Sequence, residues 1–253
     1  MASIGPLADW CRRVAGPAWE VKAVVPPGAS PHAFEVLPRD VQGFESASLW
    51  LRVGAGLDPF VDRLLAAERP RCVVTATDGV RLREGNPHVW LDPVVARAML
   101  PRIAEALATV DPADSAGYHA RARDYAASLD SLDSEYRAAA AGFRVRRFVA
   151  FHEAWTYLAA RYGLEQAGSL EPAPGREPGP TDWARLVGLV KSSGSRVVFA
   201  EPQFGRRLPA ALASDAGVRV LMLDPMGTTG EARGESYVAL MRRNLAVLRE
   251  GLK

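Results

Sequence analysis

The side chains in this sequence best suited to hold an ion are three of its four histidines, His32, His88 and His152, together with the carboxylates of Asp224 and Glu201. His32 follows the β-branched run VKAVV across the turn PPGASP. His88 lies in the loop GNPHVWLDP just ahead of a helical pattern, and His152 ends the apolar run RFVAF. Asp224 ends VRVLML and Glu201 ends RVVFA, each directly before a proline. Ligands of open parallel sheets bind beyond the carboxyl ends of the strands, so these positions point to one kind of place. They lie far apart in sequence, unlike a local zinc finger, and only a fold can assemble them. Three neutral imidazoles and one carboxylate, His32, His88, His152 and Asp224, suit a borderline divalent ion, zinc first and manganese next. Four protein donors would close a tetrahedral shell and leave no place for water, which disfavours hydrolysis. Glu201 is a candidate for orienting an imidazole or for a substitute ligand. His119 sits among Ala and Arg and reads as solvent-facing.

Enzyme signatures are missing from the sequence. His152-Glu153 starts an HE pair, but Thr156 stands where HExxH needs its second histidine. There is no GxSxG, Walker loop or GxGxxG, and Gly54-Ala55-Gly56 reads as a strand-to-helix turn. Trp90, Trp155 and Tyr157 flank the candidate ligands, and the area such rings bury makes them cleft-wall packing.

The elements that must position these residues alternate. Helical patterns cover 6–14, 38–47, 57–67 and 93–110, and strand patterns cover 21–25, 48–53 and 72–76. Such alternation implies βαβ units and a mainly parallel sheet. From 111 to 141 the strand signal stops. Tyr118, Ala122, Tyr125, Leu129, Leu132 and Tyr136 recur at three- and four-residue spacing. That spacing is one amphipathic helix roughly 40 Å long at about 1.5 Å per residue, a stiff connector near the middle of the chain. Alternation then resumes, with strands at 147–151, 196–200 and 218–223 and helices at 153–162, 181–191 and 234–252, Thr181 capping the second. The Pro/Gly-rich stretch EPAPGREPGP is a loop. The expected organisation is α/β: an N-terminal lobe over 1–110, a connecting helix over 111–141 and a C-terminal lobe over 142–253.

Composition bounds the rest. The 253 residues are 48% hydrophobic and 24% charged, near the soluble globular average, so neither a disordered tail nor a fibrous chain fits. No apolar run approaches the ~18 residues of a membrane span. Lys+Arg 31 against Asp+Glu 29 gives +2 with the signs interspersed, which excludes a nucleic-acid-coating face. Cys11 and Cys72 exclude a disulfide scaffold and a four-thiolate zinc site, and leave one bridge or two free thiols open. MASIGPLADW carries no basic segment followed by an apolar run, so the residues alone leave cytoplasm and export open.

The motifs PPGASPHAFE, NPHVWLDP, FVAFHEAW, VVFAEPQF, LDPMG and YVALMRRNLAVL occur in this order along nearly the whole chain. In this it resembles the zinc/manganese-type periplasmic solute-binding proteins of ABC importers. The resemblance implies two α/β lobes with mainly parallel sheets, joined by one long backbone helix, with the metal in the cleft between them. It implies that His32, His88 and His152 match the family's histidine ligands and that Asp224 matches its carboxylate from the second lobe. Manganese-preferring relatives often carry glutamate where His152 stands, which places this chain on the zinc side. Further implications are a monomeric, non-enzymatic binder on the extracytoplasmic face that hands its ion to a membrane permease, with small lobe motion because a stiff helix has no hinge loop. Many zinc-type relatives carry a long His/Asp-rich loop between the first two ligands. Here ATDGVRLREGN is short and has no histidine. Ligand imidazoles must be neutral, so affinity is expected to weaken as pH falls through the ~6.5 of free histidine. Other classes compatible with the donor set are a metal-dependent hydrolase, a two-lobe binder of an iron chelate or cobalamin, and a surface adhesin with a structural metal.

Overall fold

The computed structural model describes residues 1–36, 47–67, 72–169, 179–194, 196–205, 207–227 and 235–253. The first half contains α1 (Gly5–Ala15), β1 (Leu49–Arg52), α2 (Pro59–Ala67), β2 (Cys72–Thr75) and α3 (Pro93–Val110), followed by α4 (Ser115–Ala141). The second half contains β3 (Arg147–Ala150), α5 (Thr156–Arg161), β4 (Glu165–Ser169), α6 (Pro180–Ser193), β5 (Val197–Ala200), α7 (Arg207–Ala216), β6 (Arg219–Met222) and α8 (Tyr237–Leu252). The helix expected over 38–47 and most of the EPAPGREPGP loop lie outside the described residues.

Both sheets are parallel, as the alternating pattern requires. β1 pairs with β2, Leu49 opposite Cys72, and the second sheet runs β4-β3-β5-β6. The segment at 21–25 makes a bridge instead of a full strand, Ala2 pairing with both Ala23 and Leu51. The chain start therefore lies between that segment and β1, with Ala2 N–H donating to Lys22 O and Val24 N–H to Ala2 O. Pro26 and Pro27 end the pairing because neither carries a backbone donor. At the other end of β1, Gly54 adopts φ +83 and Asp58 accepts from the Val53 and Gly54 amides, which makes GAG the turn into α2.

The long helix forms where expected, preceded by a short 3-10 turn at Pro112–Asp114. Its apolar stripe, Tyr118, Ala122, Tyr125, Leu129, Leu132 and Tyr136, is buried throughout. It is tied on one side to α1, through Arg121 to the Val14 and Ala15 carbonyls and Tyr125 to Asp9. It is tied on the other to α8, where Tyr136 donates to Met241 O at 2.6 Å. One hydrophobic core consequently runs from Leu7 and Trp50 through α4 to Phe199 and Leu248. A smaller cluster, including Val149, Val198, Leu186 and Leu212, fills the space under α6 and α7.

Some local expectations are corrected. α6 begins at Pro180, with Gly179 at the cap position and Asp182 accepting the Gly179 amide, because proline is preorganised for the first helical turn. α5 starts at Thr156 and not at Glu153, since 151–155 turn to present His152. β4 and α7 were without a strand or helix signal: EQAGS has no β-branched residue, and RLPAALASDA carries an internal proline. Cys11 is buried and Cys72 half-buried, both as free thiols, and burial pushes the Cys11 pKa up to about 11.

Candidate metal centre

Three separate segments carry the histidines to one point. His32 sits in a 3-10 turn, Pro31–Ala33, that begins at the last proline of PPGASP. His88 precedes a second 3-10 turn, Val89–Leu91, which leads to Asp92, the cap of α3. His152 follows β3 by two residues. One ring nitrogen of each lies within 4.8 Å of those of the other two. The ring centroids of His32 and His88 are 5.1 Å apart, of His32 and His152 5.0 Å, and of His88 and His152 4.5 Å. His32 Nε2 and His88 Nε2 approach to 3.1 Å. Two nitrogens on a tetrahedral zinc with bonds of ~2.0–2.1 Å stand about 3.3 Å apart, so this spacing fits two ligands of one ion.

The remaining ring atoms are fixed from behind. His88 Nδ1 lies 2.7 Å from Asn86 Oδ1, which also accepts the His88 amide at 2.9 Å. An amide oxygen only accepts, so Nδ1 carries the proton and Nε2 presents its lone pair. His152 Nδ1 lies 3.3 Å from Glu201 Oε2. Glu201 is fully buried and also accepts from Trp155 Nε1 at 3.2 Å and from Gln203 Nε2. Gln166 on β4 pins the turn itself, donating to His152 O at 2.8 Å and accepting from Trp155 N at 3.1 Å. Burial, followed by the neighbouring His152, lowers the His32 pKa to about 4. Burial first, and His152 and His32 after it, hold His88 well below its usual value.

Asp224 stands outside the group of mutually close ligand atoms. Its Oδ1 accepts from the Met226 and Gly227 amides at 2.9 and 2.8 Å, and its Oδ2 lies 3.3 Å from Arg243 Nη2. Asn244 clamps its backbone on both sides, at 2.9 Å to the amide and 2.7 Å to the carbonyl. Its loop still borders the histidines: Trp90, whose ring centroid is 5.1 Å from that of His88, donates to Pro225 O at 2.8 Å. Trp90, Trp155 and Tyr157 are buried and bonded to loop and carboxylate atoms, as cleft-wall residues should be. His119 is half-exposed beside Glu105.

The sequence pattern of the family described as "Zinc-uptake complex component A periplasmic", ZnuA, matches residues 1–251. The chain belongs to the ZnuA family. A Bacillus subtilis (strain 168) relative named high-affinity zinc uptake system protein ZnuA is 26% identical over 274 residues, spanning 98% of this chain and 85% of its own length. The Zn(II)-bound ZnuA-like domain of Streptococcus pneumoniae AdcA superposes with a TM-score of 0.84 at 27% identity, covering 99% of this chain and 97% of that one. The binding protein FpvC from Pseudomonas aeruginosa, solved in complex with Mn2+, superposes with a TM-score of 0.87 at 26% identity, covering 99% and 96%. The fold of this ZnuA-family chain is therefore the two-lobe α/β architecture, with parallel sheets joined through a long helix.

Asn86 and Gln166 were missed from sequence. An Asn two residues before a histidine in a Gly/Pro loop is a turn-forming position, and that signal was available for Asn86. Nothing in EQAGS marked Gln166.

Proposed function

We propose that this protein captures a divalent transition metal, zinc first and manganese next, on the extracytoplasmic side of a membrane and passes it to the permease of an ABC importer. The observation that carries this reading is the convergence of three imidazoles from distant segments, two of them with their far nitrogens bonded to acceptors. That is the preparation a metal-ligating histidine needs. His32, His88, His152 and Asp224 are the ligands in this reading. Glu201 orients His152 and does not itself bind, and Asp224 turns Oδ2 from Arg243 toward the ion. The lobes divide at 1–110 and 142–253 around the connector 111–141, and the protein acts as a monomer without catalysis. Support comes from the zinc and manganese named for its relatives. The test is metal uptake: chelator-stripped protein dialysed against zinc should bind one ion per chain and prefer it to manganese. Failure to take up zinc overturns the reading.

The depressed histidine pKa values move the pH dependence away from that of free histidine. At pH 5.5 a free imidazole of pKa ~6.5 loses about tenfold in metal affinity to protons, and three lose about a thousandfold. His32 at about 4 and His88 well below its usual value stay neutral there. Zinc affinity measured by chelator competition should accordingly lose no more than the about tenfold of a single free imidazole between pH 7.5 and about 5.5, and fall further as pH approaches 4. The stability of the metal-free protein runs the same way. The unfolded chain takes up protons below ~6.5 that the folded one refuses, so the urea midpoint should drop as pH falls through the window ~6.5 to ~4. A zinc affinity that has fallen about a thousandfold by pH 5.5, as three free imidazoles would make it, contradicts the buried-imidazole account.

A further inference from the structure

Asn86 touches both halves of the site. Its Oδ1 accepts from His88 Nδ1 at 2.7 Å and from the His88 amide at 2.9 Å. Its Nδ2 donates to Glu153 O at 2.5 Å and to Thr156 Oγ1 at 3.3 Å. Glu153 is the residue after His152, and Thr156 opens α5. Tyr157, on the same helix, donates to Asn86 O at 2.7 Å and accepts from the Arg83 amide at 3.0 Å. The orientation of the Asn86 amide is over-determined, because its oxygen faces two donors and its nitrogen two oxygens.

We propose that Asn86 is a positioning residue for the metal site: its oxygen fixes His88 as the tautomer that presents Nε2, and its nitrogen ties that ring to the segment carrying His152. The proposal rests on the metal-binding reading above. One planar amide sets the distance between a ligand of the first lobe and a ligand of the second. His88 and His152 thereby meet the ion in register, and their centroid separation of 4.5 Å is the shortest of the three pairs. Aspartate at position 86 would keep the acceptor and lose the donor. Alanine would lose both.

The experiment reads two quantities on the full chain. The first is the His88 ring tautomer, from 15N chemical shifts of the metal-free protein. The second is zinc affinity, from chelator competition. Wild type should show an Nδ1–H ring. Asn86→Ala should show mixed tautomers and bind zinc about 10- to 100-fold more weakly, the usual cost of losing such a partner. Asn86→Asp should keep the Nδ1–H ring and still lose about tenfold, because the bond to Glu153 O is gone. An Asn86→Ala affinity within about twofold of wild type overturns the proposal. So does a weakened variant whose His88 remains purely Nδ1–H, and wild-type affinity in Asn86→Asp overturns the tie to the His152 segment. Wild-type protein that binds no zinc would instead defeat the metal-binding reading, while the tautomer measurement would still report on Asn86.

Discussion

His152→Ala is expected to weaken zinc binding by roughly a hundredfold. Structural zinc sites bind with an apparent ~10–16 kcal/mol, and an equal share among four donors is about 3 kcal/mol each, which is that factor. His152 should cost at least its share. Its side chain is 9% exposed and its Nδ1 faces Glu201, so the ring is held in place before the ion arrives. Alanine removes the donor and leaves a fully buried Glu201 with one partner fewer. Glu201→Gln is the companion measurement. It keeps the ring in its pocket, changes only what Nδ1 meets, and should cost less than the loss of the ring itself. His119→Ala, at a half-exposed ring beside Glu105 and outside the three-histidine group, should leave affinity untouched. A chelator titration in which His152→Ala matches wild type would remove this ring from the site.

Much of the site was legible because its residues sit at places where chain topology leaves little freedom. His152, Glu201 and Asp224 each follow a short apolar run, and β3, β5 and β6 end just before them. The long helix was legible for a similar reason: a six-residue stripe at helical spacing has one way to be buried, and all six are. What could not be read was set by tertiary partners. The start of the chain pairs between residues 21–25 and β1, which no local pattern announces. β4 is a strand because the β3 edge accepts it, Arg147 opposite Glu165, and not because EQAGS prefers extended structure. The ligand rings were visible, but their supports were not. Asn86, Gln166 and Arg243 act through atoms contributed by distant segments, and spacing carries no record of those.

The same limit hides what holds the two lobes in register, and here the second large effect is expected. Asp92 has two tasks. Its Oδ1 caps α3 by accepting the Val94 amide at 2.9 Å, and both oxygens accept from Arg161 on α5, at 2.7 to 3.0 Å. The Asp92 side chain is 4% exposed and that of Arg161 33%. Breaking a buried ion pair by removing one partner costs ~3–5 kcal/mol, and water that reaches a third of Arg161 reduces this, so Arg161→Met should destabilise by about 2–3 kcal/mol. Asp92→Asn keeps a cap acceptor and should cost less. Urea unfolding reads both. The pair also bridges the loop that bears His88 and the helix that follows His152. Zinc at a thousandfold excess over its Kd adds about 4 kcal/mol to whichever state binds it. Zinc-loaded Arg161→Met should therefore unfold at or above the midpoint of the metal-free wild type. If Arg161→Met unfolds with the wild-type midpoint, the ion pair does not hold the lobes. If it unfolds early and zinc fails to restore it, the lobes need Arg161 before they can close on the ion, and the metal cannot serve as their substitute cross-link.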